Sequence, residues 1–317
     1  MYRGKVLFID SADTSFTTRL RELGFECHYK DVNYEQMFDI AQDYVGYIIR
    51  SRFVIDKILI DASKQLKFIA RIGAGMENID VSYAQEKGIS CINSPEGNAD
   101  AVGEFVIGNL LALFRNTIPA DNEVRNGEWL REENRGYEIN GKTFGIIGYG
   151  NMGKSLAKKL SGFGCKVIAY DKFKKNFSDE FATEVSLKEL ISQANIVSVH
   201  INYTPENHYF INQANFFSQL ADPIFFVNTS RGKVLNTTDL LMAMNSGLVK
   251  GAVLDVLEYE NTHLQNLPYE QWDRTMMNLA KNPDVILSPH IAGQTVESLT
   301  KHVDVLIDKL MQLPFMK

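Results

Sequence analysis

The chain has 317 residues, enough for two ordinary domains, with 45% apolar and 23% charged residues, values usual for a globular protein. Its formal net charge of −6 argues against nucleic acid or an anionic membrane as the main partner, while leaving room for local basic pockets. Cys27, Cys91 and Cys165 stand far apart in apolar runs, as reduced core residues of a cytoplasmic protein would.

The N-terminal stretch enters a strand at 5–9 with no signal-peptide pattern before it. Helical spacing at 14–23, closed by Gly24, leads to a strand at 25–29. A helix at 34–42, a strand at 45–50 and a helix at 55–63 follow. A strand at 66–72 feeds Gly73-Ala74-Gly75-Met76. A helix at 81–87 and a strand at 89–93 complete the first unit. Strand and helix alternate throughout, which predicts a parallel sheet with helices on both faces. No phosphate fingerprint occurs in it.

A long apolar helix is expected at 99–114, too short and too interrupted by Gly and Asn to span a bilayer. Residues 116–142 are polar and poorly periodic, with Trp129 and Leu130 isolated among them. An irregular arm of that length needs a cover, and a second copy of the chain is the expected one.

From 143 the alternation resumes, with strands at 143–147, 166–170, 196–200, 224–228, 250–255 and 285–288. Helices are expected at 187–193, 213–219, 238–245 and, at the end, 294–311. Six strands with crossovers fit a doubly wound nucleotide-binding sheet. The first of them runs into Gly148-Tyr149-Gly150-Asn151-Met152-Gly153 and a helix, and the second ends on Asp171, 18 residues after Gly153. Gly148 permits the tight turn, Gly150 lets backbone approach a pyrophosphate, and Gly153 lets the helix pack closely. The helix N-terminus offers unpaired N–H groups to the phosphates. Asp171 suits the adenosine ribose hydroxyls and repels a 2′-phosphate, which selects NAD, although Lys172, Lys174 and Lys175 close behind leave NADP open.

Ligands of such sheets bind beyond the C-terminal strand ends. Three successive ends here carry Arg231, then Asp255 followed by Glu258 and Glu260, then His290. A carbonyl reduced by hydride needs a proton donor at its oxygen, and His290 can be one. Glu260 can orient its ring, with Glu258 the nearest rival. Arg231 can hold a substrate carboxylate through its planar fork. The six histidines form no metal-ligand spacing, so no metal is expected.

With these residues in view, the chain resembles the D-isomer-specific 2-hydroxyacid dehydrogenases over nearly its whole length. Gly-Ile-Ile-Gly-Tyr-Gly-Asn-Met-Gly at 145–153, Asn-Thr-Ser-Arg-Gly-Lys-Val at 228–234, Gly-Ala-Val-Leu-Asp-Val at 251–256 and Ser-Pro-His-Ile-Ala-Gly at 288–293 carry the likeness. It implies an α/β protein of two doubly wound domains. One is a Rossmann NAD-binding domain at 98–293. The other is a discontinuous flavodoxin-like substrate domain at 1–97 plus 294–317. It implies Arg231, Glu260 and His290 as the catalytic set, Glu260 being five residues after Asp255. By the same likeness Gly75 and Met76 offer amides to the substrate acid. Tyr149 to Met152 line the pyrophosphate. His200, Asn202 and Thr204 lie near adenine and ribose, and Thr229, Asp255 and Gly293 near the nicotinamide. A homodimer through the cofactor domains is implied as well.

Arg50-Ser51-Arg52 resembles the Arg-Ser-Arg run of the family's 3-phosphoglycerate dehydrogenases, which makes Arg50 and Ser51 candidates for a phosphate or second carboxylate. No serine-pathway regulatory domain is expected after Lys317. The stretch 261–282 is longer than the family's usual connection, with Trp272, Met276 and Met277 at helical spacing. It reads as a local cap or a partner surface. The expected activity is hydride transfer between NAD and a small D-2-hydroxyacid: 3-phosphoglycerate first, glycerate/hydroxypyruvate or D-lactate next. The rival is an NAD-binding corepressor-like scaffold without turnover.

Overall fold

Short apolar runs become strands, and amphipathic runs between them become the helices that cover two parallel sheets. The computed structural model describes residues 2–260 and 268–317 and divides into two compact units.

Unit 1 holds residues 2–98 and Gln294–Lys317. Its five strands are β1 (Gly4–Phe8), β2 (Phe25–Tyr29), β3 (Tyr44–Ile49), β4 (Phe68–Arg71) and β5 (Ser90–Asn93), in the order β2-β1-β3-β4-β5. All pairings are parallel. Along β1 and the residue after it, Val6 and Phe8 enter one core while Leu7 and Ile9 enter the other. That is the two-residue period of a strand buried on both faces. The first core also takes Val303, Leu306, Ile307 and Leu310 from the last helix, Val296–Met311, which is therefore part of this unit. Asp13, Asn33, Asp56, Asp80 and Thr295 cap the helices that follow them by accepting backbone N–H groups.

Unit 2 begins with the helix Ala99–Phe114. It contains β6 (Thr143–Ile147), β7 (Lys166–Tyr170), β8 (Thr183–Glu184), β9 (Ile196–Val199), β10 (Ile224–Asn228), β11 (Val249–Leu254) and β12 (Val285–Leu287). The order is β12-β11-β10-β9-β6-β7-β8, again parallel, so the winding reverses between β6 and β9. The two-residue β8 adds a seventh strand to the expected six. Residues 213–219 were expected to be helical but give only a 3-10 turn at Phe217–Gln219. The arm expected to be irregular contains the helix Thr117–Arg125, which buries none of its residues. With no apolar face there is no period to read, and Pro119 in its first turn reads as a breaker although that position tolerates it.

The stretch 261–282 was read as a cap or partner surface. Its residues 261–267 lie outside the described ones. Beyond them the helix Arg274–Lys281 puts Met276 and Leu279 into unit 2's own core. No helix of the described residues is long and apolar enough to cross a membrane.

Candidate active site

At the reversal in unit 2, the turn after β6 meets the end of β9. Gly148 adopts φ 96°, and a Cβ there would lie 2.5 Å from the His200 carbonyl oxygen. A Cβ on Gly153 would lie 2.1 Å from the Gly148 oxygen, so only glycine lets the helix Asn151–Leu160 start this close. Gly150 is different: none of the described residues comes within 4 Å of its Cβ position, which leaves that side open among them. It caps the helix without a side-chain bond, so the first-turn amides at Asn151 and Met152 remain available to an anion. This cradle fits a dinucleotide pyrophosphate.

Asp171, at the end of β7, braces the same turn. Its Oδ2 accepts the Tyr149 N–H at 2.9 Å, and its Oδ1 accepts from Phe173 and Lys174. The Tyr149 amide is therefore spent on Asp171. Its side chain points inward, donates to Asp179 at 2.9 Å and stacks on Phe177. The Lys174 ammonium donates to the Tyr149 carbonyl at 2.7 Å. The His200 imidazole also points inward, bonded to Ser198 Oγ at 2.8 Å, and burial pushes its pKa down to about 4. Asn202 and Thr204 have exposed side chains, and their carbonyls accept from Asn207.

Three further strand ends of unit 2 gather the titratable residues. After β10, Asn228 is fully buried. Its Oδ1 accepts from the Ser230 amide and hydroxyl, and its Nδ2 donates to the Arg231 carbonyl, which fixes the Arg231 loop. A Cβ on Gly232 would lie 1.9 Å from the Leu257 oxygen, so this loop rests directly on the turn after β11. Arg231 Nη1 donates to Ser230 O at 2.7 Å. Among the described residues the Thr229 hydroxyl, which is buried, has no hydrogen-bond partner.

From the turn after β11, Glu260 accepts the Leu257 N–H on Oε1 and faces His290 Nδ1 with Oε2 at 2.9 Å. Glu258 looks elsewhere: it sits by Tyr209 and Tyr259, whose hydroxyl pKa values are raised by burial first and by the Glu258 charge after it. Asp255 is fully buried. It accepts from Ser288 Oγ and the Ile291 N–H on Oδ1, and from the Ala292 N–H on Oδ2. Its carbonyl takes the His290 N–H at 2.8 Å. Asp255 thus holds the whole 288–292 loop, which ends at the half-buried Gly293. Within it His290 has φ 56°, a left-handed backbone that a non-glycine residue adopts only when its surroundings dictate it. Asn228, Gly232 and Ser288 are positioning groups that strand-end reasoning passes over.

Unit 1 has its own winding reversal, between β1 and β3. Asp10, just past β1, accepts on Oδ2 the N–H groups of Arg50, Ser51 and Arg52 at 2.6, 3.2 and 3.4 Å. The Arg52 guanidinium pairs with Asp10 and Asp31. Asn78, buried, donates to the carbonyls of Arg50 and Phe53, tying this loop to the one after β4. In that second loop neither Gly75 nor Met76 spends its N–H on a hydrogen bond among the described residues. No group of three or more His, Cys, Asp or Glu among the described residues could hold a metal ion.

A model of the D-isomer specific 2-hydroxyacid dehydrogenase NAD binding domain matches residues 107–292. Hydroxypyruvate reductase of Thermotoga maritima is 33% identical over 278 residues, 88% of this chain and 87% of that protein. D-3-phosphoglycerate dehydrogenase of Archaeoglobus fulgidus is 32% identical over 300 residues. The match covers 93% of this chain but 54% of that protein, so the chain spans about half its length. The structure is similar to D-lactate dehydrogenase from Aquifex aeolicus complexed with NAD and lactic acid. The TM-score is 0.81 at 26% identity, over 96% of this chain and 94% of that one.

Proposed function

The chain belongs to the D-isomer-specific 2-hydroxyacid dehydrogenase family, and from that premise we propose which residues work and on which acid. It is an NAD-dependent oxidoreductase of small 2-hydroxyacids. Bound NADH supplies the hydride; everything else is done by the chain. Asn151 and Met152 amides receive the pyrophosphate at Gly150, and Asp171 takes the adenosine ribose. His200, Asn202 and Thr204 border adenine and ribose, and Thr229, Asp255 and Gly293 the nicotinamide end.

The single observation that carries the reading is the 2.9 Å bond from His290 Nδ1 to Glu260. It commits one ring nitrogen, so Nε2 is left to give its proton to the carbonyl oxygen as hydride arrives at C2. Arg231 polarises that carbonyl and holds the adjacent carboxylate. In unit 1, taken by itself, the Gly75 and Met76 amides are the groups offered to a substrate acid. In the reverse direction Nε2 receives the hydroxyl proton.

We place 3-phosphoglycerate first among substrates, because Arg50 and Ser51 stand at the winding reversal of unit 1, where such sheets bind ligands. Glycerate/hydroxypyruvate and D-lactate follow. We also propose a homodimer through unit 2 and its 116–142 arm, and a cytoplasmic setting, in keeping with three free thiols.

The test is a panel of 2-keto acids, 3-phosphohydroxypyruvate, hydroxypyruvate, glyoxylate and pyruvate, each incubated with NADH while its absorbance is followed. Turnover of 3-phosphohydroxypyruvate at the highest kcat/KM is the expected result. Tight NADH binding with no turnover across the panel would leave a scaffold instead.

A further inference from the structure

The last helix carries a histidine on its apolar face. His302 is 4% exposed and precedes Val303, which with Leu306 and Leu310 lies in the core of unit 1. It is seated so tightly on the turn Pro95–Asn98 that a Cβ on Gly97 would lie 2.5 Å from its Nδ1. Nδ1 is 2.8 Å from Ser94 Oγ and 3.1 Å from the Ser94 carbonyl oxygen. A carbonyl only accepts, so Nδ1 bears the hydrogen and the ring donates to Ser94. Burial first, and the Arg50 and Arg71 guanidiniums after it, push the ring's pKa down to about 4, so it is neutral.

Ser94 is fully buried and passes the constraint on. Its Oγ accepts the Gly73 N–H at 3.1 Å, and its own N–H donates to the Gly73 oxygen at 2.9 Å. Next to it, Asn93 Nδ2 donates to the Ala74 oxygen at 2.6 Å. Gly73 has φ 132°, and a Cβ there would strike Arg71 Nη1 at 1.9 Å. The first half of the Gly73–Met76 loop is thus fixed from β5 and the last helix. Among the described residues, the second half keeps two amides uncommitted. A leucine at 302 would fill the core without the desolvation cost of an imidazole. What the imidazole adds is a directed bond to the serine that holds the loop.

We propose that His302 is a positioning residue for substrate: through Ser94 it sets Gly73, and so aims the Gly75 and Met76 amides at the substrate carboxylate. The proposal rests on the reading above that these amides bind the acid. It predicts a defect confined to acid binding. His302→Leu and Ser94→Ala should each raise KM for the best keto acid of the panel about tenfold, with kcat, NADH affinity and Tm near wild type. His302→Asn should restore most of the loss, because Asn Nδ2 occupies the place of Nδ1. The double variant should be no worse than the poorer single one.

Ser94→Ala decides the matter if His302→Leu does not fold. An unchanged KM in Ser94→Ala, with a raised KM in Gly73→Ala, overturns the role of His302 and leaves the loop as the acid site. An unchanged KM in both overturns the loop reading as well. A KM rise matched by weaker NADH binding or lower Tm marks general damage and also overturns the proposal.

Discussion

His290 Nδ1 meets Glu260 Oε2 at 2.9 Å, while Glu260 Oε1 is held by the Leu257 amide at 2.5 Å. The carboxylate is therefore fixed at both oxygens before any substrate arrives, and it fixes the ring in turn. Replacing His290 by Asn should lower kcat about 10³-fold and leave NADH affinity within about twofold, since the proton carrier is lost and the glycine turn is untouched. Glu260→Gln keeps the shape but removes the charge facing the ring, and should cost about 10- to 100-fold in kcat. Steady-state rates with the best keto acid, beside NADH titrations, check both. Full activity in His290→Asn would end the proposed mechanism.

Gly232 predicts a different failure. Its missing Cβ is what lets the Arg231 loop rest on Leu257, with only 1.9 Å between the Cβ position and the Leu257 oxygen. Gly232→Ala must push the loops after β10 and β11 apart. The Arg231 backbone would move relative to the turn that carries Glu260. We expect kcat/KM to fall at least about 100-fold, because misplacement of about 1 Å is enough for that. A variant that folds with an unchanged rate would show that the contact is not needed for the chemistry.

Asp171 accepts N–H groups from Tyr149, Phe173 and Lys174, so it both braces the glycine turn and offers its remaining lone pairs to a ribose. Asp171→Ala should weaken NADH binding about 10-fold or more and shrink the preference over NADPH, with Lys172, Lys174 and Lys175 standing by for a 2′-phosphate. Fluorescence titrations with both cofactors measure the ratio. An unchanged ratio would mean that discrimination lies elsewhere.

Much of this arrangement is legible in the residues, for physical reasons. Buried parallel strands are apolar runs, glycines with positive φ such as Gly148 have no substitute, and ligands gather at strand ends, so asking what each strand ends on singles out Arg231, His290 and the pair Glu258 and Glu260 as candidates; only the likeness to the family chooses Glu260 of that pair. Other features leave no local mark. β8 is two residues long and has no period. The helix Thr117–Arg125 buries nothing and so shows no apolar stripe. Asn228 looks like any polar strand end until its three bonds are seen. The Ser94–His302 bond joins residues 208 positions apart, and no spacing rule reaches that far.

The exposed arm offers a test of assembly. Ile118, Val124, Trp129 and Tyr137 are all about half exposed or more, with Trp129 at 76%. Apolar groups so close together in sequence and so open suit a second copy of the chain. Wild type should sediment as a dimer, and Trp129→Asp should shift it toward monomer without loss of NADH affinity. A wild-type monomer at micromolar concentration would remove the homodimer.

Two imidazoles, the buried His302 and the inward-pointing His200, make stability depend on pH in the acid range. His302 and His200 are both held down to about 4 by burial, against an ordinary value of 6.5. Between those values the unfolded chain takes up protons that the folded chain refuses. Stability must therefore fall as pH drops through 6.5 and level off near 4, by up to about 3 kcal/mol for each ring. Carboxylates held low, Asp13 by the hydroxyl and amide of Ser15 and Glu189 by those of Ser186, lose their contribution only below their ordinary values of 3.8 and 4.5. Most of the window above about 4.5 thus belongs to the histidines. His302→Asn removes one titrating ring while keeping its donor, so the fall in Tm across that window should shrink by roughly half. A variant whose Tm falls as steeply as wild type would show that His302 is not held neutral in the fold.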